Sequence, residues 1–212
     1  MHILSSKLRF PPLEDALEDG LLAIGGDLST ERLILAYQQG IFPWYEGSTP
    51  LWWSPDPRFV LFPEKLVVSK SMKQVIKRNE FVFSMNASFS EVIHQCKVNK
   101  RPGQLGTWIT DEVEAAYIKL HKQGLAISAE AWKNNTLVGG LYGIRMGRLF
   151  FGESMFSLVS NASKFAFIQL VSQLMSEDVV LIDCQVYTAH LESLGAEMIS
   201  RKDFQGYLQQ YL

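Results

Sequence analysis

Cysteine, histidine and long apolar runs are all scarce in these 212 residues. The two cysteines, Cys96 and Cys184, rule out a disulfide-stapled scaffold and read as free thiols of a reducing compartment. The four histidines have no metal-ligand spacing, so no metal is expected. No stretch of 18 apolar residues occurs, and residues 1–10 lack the apolar centre of a signal peptide; a cytoplasmic location without a membrane partner is the expectation. Neither sign of charge is in excess. The net charge of -2 excludes a surface that is basic throughout, while leaving room for a local basic patch. Glycine is absent between Gly152 and Gly195. What is abundant is apolar surface: at 47% hydrophobic residues the chain can bury a sizeable core.

Residues 1–62 have a composition of their own, holding six of the eight prolines and three of the five tryptophans, with a seventh proline at 63. They are expected to form a small N-terminal lobe ahead of a larger domain over 63–212. Ser29 caps a predicted helix with Leu33, Ile34 and Tyr37 on its apolar stripe and Gly40 as its stop. Trp44, Trp52 and Trp53 follow in loops stiffened by proline, where an indole loses little further entropy on stacking against a ligand. Two of the three are expected to hold the lobe together.

Beyond the lobe, Ser69 caps a predicted helix that places Lys70, Lys73 and Lys77 on one face, with Arg78 beside them. Such a face suits a polyanion, whose phosphates release counterions when neutralised; a plain solvated helix face is the alternative. Lys97, Lys100 and Arg101 form a second basic group in a predicted loop. Ser88 and Glu91 have capping-box spacing. A further helix begins at Asp111, carries Val113, Ala116, Tyr117 and Leu120 on its stripe, and stops at Gly124. Trp108 stands outside that stripe, as a buried anchor or a stacking platform.

From Leu125 the period becomes two, with Ser128 and Glu130 on the face opposite Ile127, Ala129 and Ala131. Asn134-Asn135 and Met146-Gly147 mark turns between three antiparallel strands. The third contains Glu153, an isolated carboxylate among apolar residues, which is either a functional group or simply turned to solvent. A strongly apolar helix capped at Ser160 or Asn161 follows, and then a doubly buried strand over 179–186. Asp183 and Gln185 interrupt that strand and, two residues apart, are expected on one face. The order is that of an α+β, acetyltransferase-like mixed sheet with packed helices. A coenzyme A user of that fold needs glycines between strand and helix to cradle the pyrophosphate, and the gap after Gly152 counts against coenzyme A.

Several strings together resemble the leucyl/phenylalanyl-tRNA-protein transferase family: GLLAIGGDLS (20–29), GIFPW (40–44), WWSPDPR (52–58), TWIT (107–110), LVGGLYG (137–143), GESMFS (152–157), LIDCQ (181–185) and SLGA (193–196). The resemblance implies a bacterial enzyme that needs no cofactor. It would move Leu or Phe, and also Met, from aminoacyl-tRNA to the α-amine of proteins beginning with Arg or Lys, marking them for degradation. It further implies that Trp44 and Trp108 meet the terminal adenosine of the tRNA. Leu141, Phe150, Met155, Phe167, Leu170, Leu174 and Ile182 would line the amino-acid pocket, and Glu153, Asp183 and Gln185 would form the reaction centre. Thr188 departs from the Asn usual in the family, so no peptide contact is carried over to it. Two other readings start from the fold alone. One is an acyltransferase with another donor; the other is a non-catalytic RNA-binding module, which leaves Asp183 and Gln185 without a role. A monomer is expected.

Overall fold

A computed structural model describes residues 2–99 and 107–212. Lys100 and Arg101 of the second basic group lie outside the described residues. The first part of the chain forms β1 (His2–Leu4), β2 (Leu21–Gly25), α1 (Thr30–Gln38), β3 (Phe42–Pro43) and β4 (Leu51–Trp53). Their strands make a four-stranded sheet in the order β1-β2-β4-β3. Ser29 caps α1 by accepting the Arg32 amide, and Gly40 takes a positive φ of 74° just past its end.

The rest comprises β5 (Arg58–Leu61), α2 (Lys70–Lys77), β6 (Val82–Met85), α3 (Phe89–Val98), α4 (Asp111–Lys122), β7 (Ala126–Lys133) and β8 (Thr136–Met146). It continues through β9 (Leu149–Ser157), α5 (Ala162–Ser176), β10 (Leu181–Gln185), α6 (Ala189–Glu192), β11 (Glu197–Ile199) and α7 (Arg201–Tyr211). A seven-stranded sheet runs β11-β5-β10-β9-β8-β7-β6. The strand β5 precedes the 62/63 boundary suggested by composition, yet it pairs with β10 and β11 in this larger sheet.

Local chemistry explains the central strands. Asn134 and Asn135 both take positive φ, of 51° and 60°, closing the β7–β8 hairpin with the twist that antiparallel strands require. Gly147, at φ 53°, turns β8 into β9. The helix α5 then carries the chain back over the sheet so that β10 runs parallel to β9, a connection too long for a hairpin.

Alternation splits the core into two layers. On β9, Leu149 and Phe151 pack with α1, α3, α4 and α7, while Phe150 faces α5 and α2 on the other side. The first layer also takes in Leu22, Leu33 and Trp52, so the small sheet and one face of the large one share a hydrophobic core. At Gly139 a Cβ would lie 2.6 Å from the Cβ of Ala162; the missing side chain lets β8 approach the start of α5.

Three local expectations change. Ser88 forms no side-chain cap, and its amide instead points to Glu130 at 3.5 Å, while Glu91 accepts from Gln95. Glu130 and Ser128 are buried rather than merely turned away from the core, because Ser84 and Ser128 each donate to the Glu130 carboxylate at 2.6 Å. Lys97 belongs to α3, where it pairs with Asp111 and Glu114, so it is no free loop cation.

Candidate active site

The strands β9 and β10 pair only through Leu149–Leu181, Phe150–Ile182 and Phe151–Asp183. Beyond those pairs a cavity of about 590 Å³ opens, lined by both strands, α5, α6 and the indoles of Trp44 and Trp108. Its apolar lining includes Leu141, Met155, Phe167 and Ile182. Phe150, Leu170 and Leu174 are buried in the same hydrophobic cluster and do not line the cavity. For Leu174 the reason is geometric: it lies seven residues beyond Phe167 on α5, about 10 Å further along its axis.

Glu153, Asp183 and Gln185 all line the cavity. The first does not face solvent. Its Oε1 accepts from Tyr37 Oη at 2.7 Å and from Gln185 Nε2 at 3.0 Å, and its Oε2 accepts from Tyr117 Oη at 3.0 Å. The two phenol oxygens also lie within hydrogen-bonding distance of each other; each phenol has one proton, so all three contacts are bonded together only when the Glu153 carboxyl is itself protonated and donates. Burial pushes the Glu153 carboxyl up to about 7 against the pull of its tyrosine and glutamine donors, with the Asp183 charge adding to the rise. Burial, followed by the nearby Glu153 charge, drives both phenols well above the ordinary tyrosine range, so they remain protonated donors.

Asp183 is fully buried and held by a cation. Arg58 on β5 donates from Nε to Oδ1 at 2.8 Å and from Nη2 to Oδ2 at 2.7 Å, a two-pronged pairing. Oδ1 also accepts the backbone N–H of Gln185 at 2.9 Å. The strand register shifts between Asp183 and Gln185, and Gln185 takes a φ of 65°. Both side chains reach the one cavity, as expected of residues on one face, although the bulge between them interrupts simple alternation.

Trp44 and Trp108 differ in exposure, the first 42% exposed and the second buried at 9%. Trp52 is wholly buried and donates to Gly25 O, and Trp53 donates to Trp44 O, so these two indoles hold the N-terminal part together. Thr188 lines the rim while its hydroxyl caps α6 by accepting the Leu191 amide. Lys70, Lys73, Lys77 and Arg78 are exposed along α2 and away from the cavity lining. Among the described residues no group of three or more His, Cys, Asp or Glu side chains could hold a metal ion.

Sequence reasoning misses Tyr37 and Tyr117, which it places on apolar stripes, and gives Arg58 no role. The phenols are a usable signal, since a buried tyrosine hydroxyl needs a partner. An arginine that opens the apolar run Phe59-Val60-Leu61 likewise points to a buried anion.

Residues 60–209 match the family described as leucyl/phenylalanyl-tRNA protein transferase, and residues 26–56 match the N-terminal domain of that family. The chain is 55% identical over 210 residues to the leucyl/phenylalanyl-tRNA–protein transferase of Flavobacterium johnsoniae, covering 99% of each chain. It is also 55% identical to that of Flavobacterium psychrophilum, covering 99% of this chain and 100% of the relative. A solved structure of L-PGS from Bacillus licheniformis superposes over 79% of this chain and 54% of its own, at 12% identity and a TM-score of 0.44. On the matched residues and full-length identity, the chain belongs to the leucyl/phenylalanyl-tRNA–protein transferase family.

Proposed function

We propose that this protein transfers Leu or Phe from aminoacyl-tRNA to the α-amine of proteins that begin with Arg or Lys. Family membership supports the aminoacyl donor and protein acceptor. One observation carries the site assignment: a single cavity is lined by apolar side chains, two indoles and the Glu153–Gln185 pair. The aminoacyl side chain is assigned to the apolar lining of Leu141, Met155, Phe167 and Ile182, with Phe150, Leu170 and Leu174 in the hydrophobic cluster behind it. Trp44 and Trp108 stack the terminal adenosine, as aromatic platforms do for unpaired bases. The exposed cations of α2 are assigned to the tRNA backbone.

The donor ester is already activated, so holding a neutral amine against its carbonyl carbon supplies much of the rate. A C–N bond forms, the ester C–O bond breaks, the ribose oxygen leaves with a proton and the amine gives one up. Gln185 donates from Nε2 to Glu153, which turns its amide oxygen away from that carboxylate and leaves it to accept from the incoming amine. Glu153, at about 7, is partly ionised at neutral pH and is the acceptor proposed for the amine proton. Asp183 is assigned the orienting of Gln185, since its charge is matched by Arg58.

We further infer a monomer acting in the cytoplasm; among the described residues no helix is long and apolar enough to cross a membrane. The test is transfer of labelled Leu from charged tRNA to peptides that start with Arg or with Met. Labelling of the first alone supports the proposal, and equal labelling of both refutes the acceptor assignment.

A further inference from the structure

Arg58 is 1% exposed, and every nitrogen of its guanidinium is engaged. Nε and Nη2 grip Asp183, and Nη1 donates to Gly40 O at 3.1 Å. The rings of Phe42 and Phe204 each lie 4.7 Å from the guanidinium carbon. The cation is thus clamped from the end of α1, from β3 and from α7.

A buried ion pair is weak evidence of a stabilising role, because well-packed apolar residues often hold strands as firmly. Backbone pairing already joins these strands, with Val60 opposite Asp183 and Phe59 opposite Gln185. What the pair adds is orientation. Oδ1 of Asp183 is shared between Arg58 Nε and the Gln185 backbone N–H, and Gln185 stands at a φ of 65°. A non-glycine residue held in that region is strained and persists only where its surroundings over-determine it. Here the Asp183 carboxylate supplies that constraint, and it can do so only while its own plane is fixed.

We propose that Arg58 is a positioning residue for the transfer reaction, locking the Asp183 carboxylate so that it holds Gln185 in the bent backbone that aims its amide between Glu153 and the cavity. The inference rests on the proposed role of Gln185. Arg58→Lys keeps the charge but loses the fork that fixes the carboxylate plane.

The experiment compares Arg58→Lys and Phe204→Leu with the parent in single-turnover transfer of Leu from charged tRNA to an Arg-starting peptide. Affinity for Leu-tRNA and the thermal unfolding midpoint are measured alongside. The expected result is a 10- to 100-fold slower transfer per folded molecule for Arg58→Lys, with tRNA affinity within twofold of the parent. Phe204→Leu, which loosens the clamp from the far side, is expected to slow transfer about threefold, again without a change in affinity. A lowered midpoint with an unchanged rate per folded molecule, in whichever of the two variants folds, would make Arg58 structural only and overturn the proposal. Should Arg58→Lys not fold, Phe204→Leu decides alone. A parent that transfers nothing would instead refute the reading of the site on which the inference stands.

Discussion

Tyr37 and Tyr117 donate to opposite oxygens of one carboxylate, that of Glu153, from two different helices. The proton balance of the centre hangs on this arrangement. With the carboxyl raised from an ordinary 4.5 to about 7, the folded protein holds a proton that the unfolded chain has released between those values. Stability therefore falls as pH rises from about 4.5 to 7 and levels off above, by on the order of 3 kcal/mol. Glu153→Gln is expected to remove that slope, which urea unfolding at pH 5 and pH 8 would show. A slope unchanged from the parent would contradict the raised carboxyl.

Activity should follow the same group with opposite sign. The proposed acceptor must be ionised, so single-turnover transfer is expected to rise with pH and to become less steep near 7, below the bend from the substrate amine. Glu153→Gln should lose the lower bend and transfer 10- to 1,000-fold more slowly. Tyr37→Phe removes a donor to the charged form and should move the bend to higher pH. A pH–rate profile of Tyr37→Phe that coincides with that of the parent would remove Glu153 from proton transfer.

Trp108 is the more buried of the two cavity indoles. Trp108→Ala is expected to weaken binding of a short aminoacyl-adenosine analogue by about 1–3 kcal/mol, the usual worth of one stacked base. Isothermal titration is the check, and equal affinities would make the indole a packing element.

The cations of α2 call for a different measurement. Replacing Lys70, Lys73 and Lys77 together by Ala should raise KM for aminoacyl-tRNA and flatten its dependence on salt, by close to one unit of logarithmic slope for each phosphate no longer neutralised. Affinity for the short analogue should not change. An unaltered salt slope would leave α2 as a solvated face.

Gly139 offers a purely structural test. An added methyl would sit 2.6 Å from the Cβ of Ala162 and 2.9 Å from its carbonyl carbon, so β8 and α5 must separate. Gly139→Ala is expected to cost about 1–3 kcal/mol in urea unfolding, the usual range for overpacking.

The elements most legible in the sequence are those whose signals are local. Asn134-Asn135 and Gly147 announce their turns, and Ser29 and Ser69 cap the helices expected of them. The apolar run of α5 has nowhere to go but the core, and from Ala162 to Leu174 its apolar side chains are buried. What escapes depends on partners distant in sequence. Ser88 meets Glu130 across 42 residues, which competes with a local capping box. The composition of residues 1–62 reflects their loops, yet Arg58–Leu61 is a fully buried strand of the large sheet. At the site, family resemblance points to Glu153, Asp183 and Gln185, whereas period-two reasoning puts the last two on one face and cannot foresee the bulge between them. Tyr37 and Tyr117 stay hidden because a tyrosine on an amphipathic stripe looks like any other core residue until its hydroxyl finds a carboxylate.

The bonds of the centre also impose an order of assembly. Arg58 and Asp183 are 125 residues apart, and Tyr37 and Glu153 are 116 apart. During synthesis α1 and β5 leave the ribosome long before their partners exist, so Tyr37 and Arg58 wait with unmatched polar groups until β9 and β10 arrive. Closing loops of that length is slow relative to forming helices and hairpins. The proposed reaction centre is therefore expected to form after the local helices and hairpins, and a chain still short of β10 lacks Asp183 and Gln185 altogether.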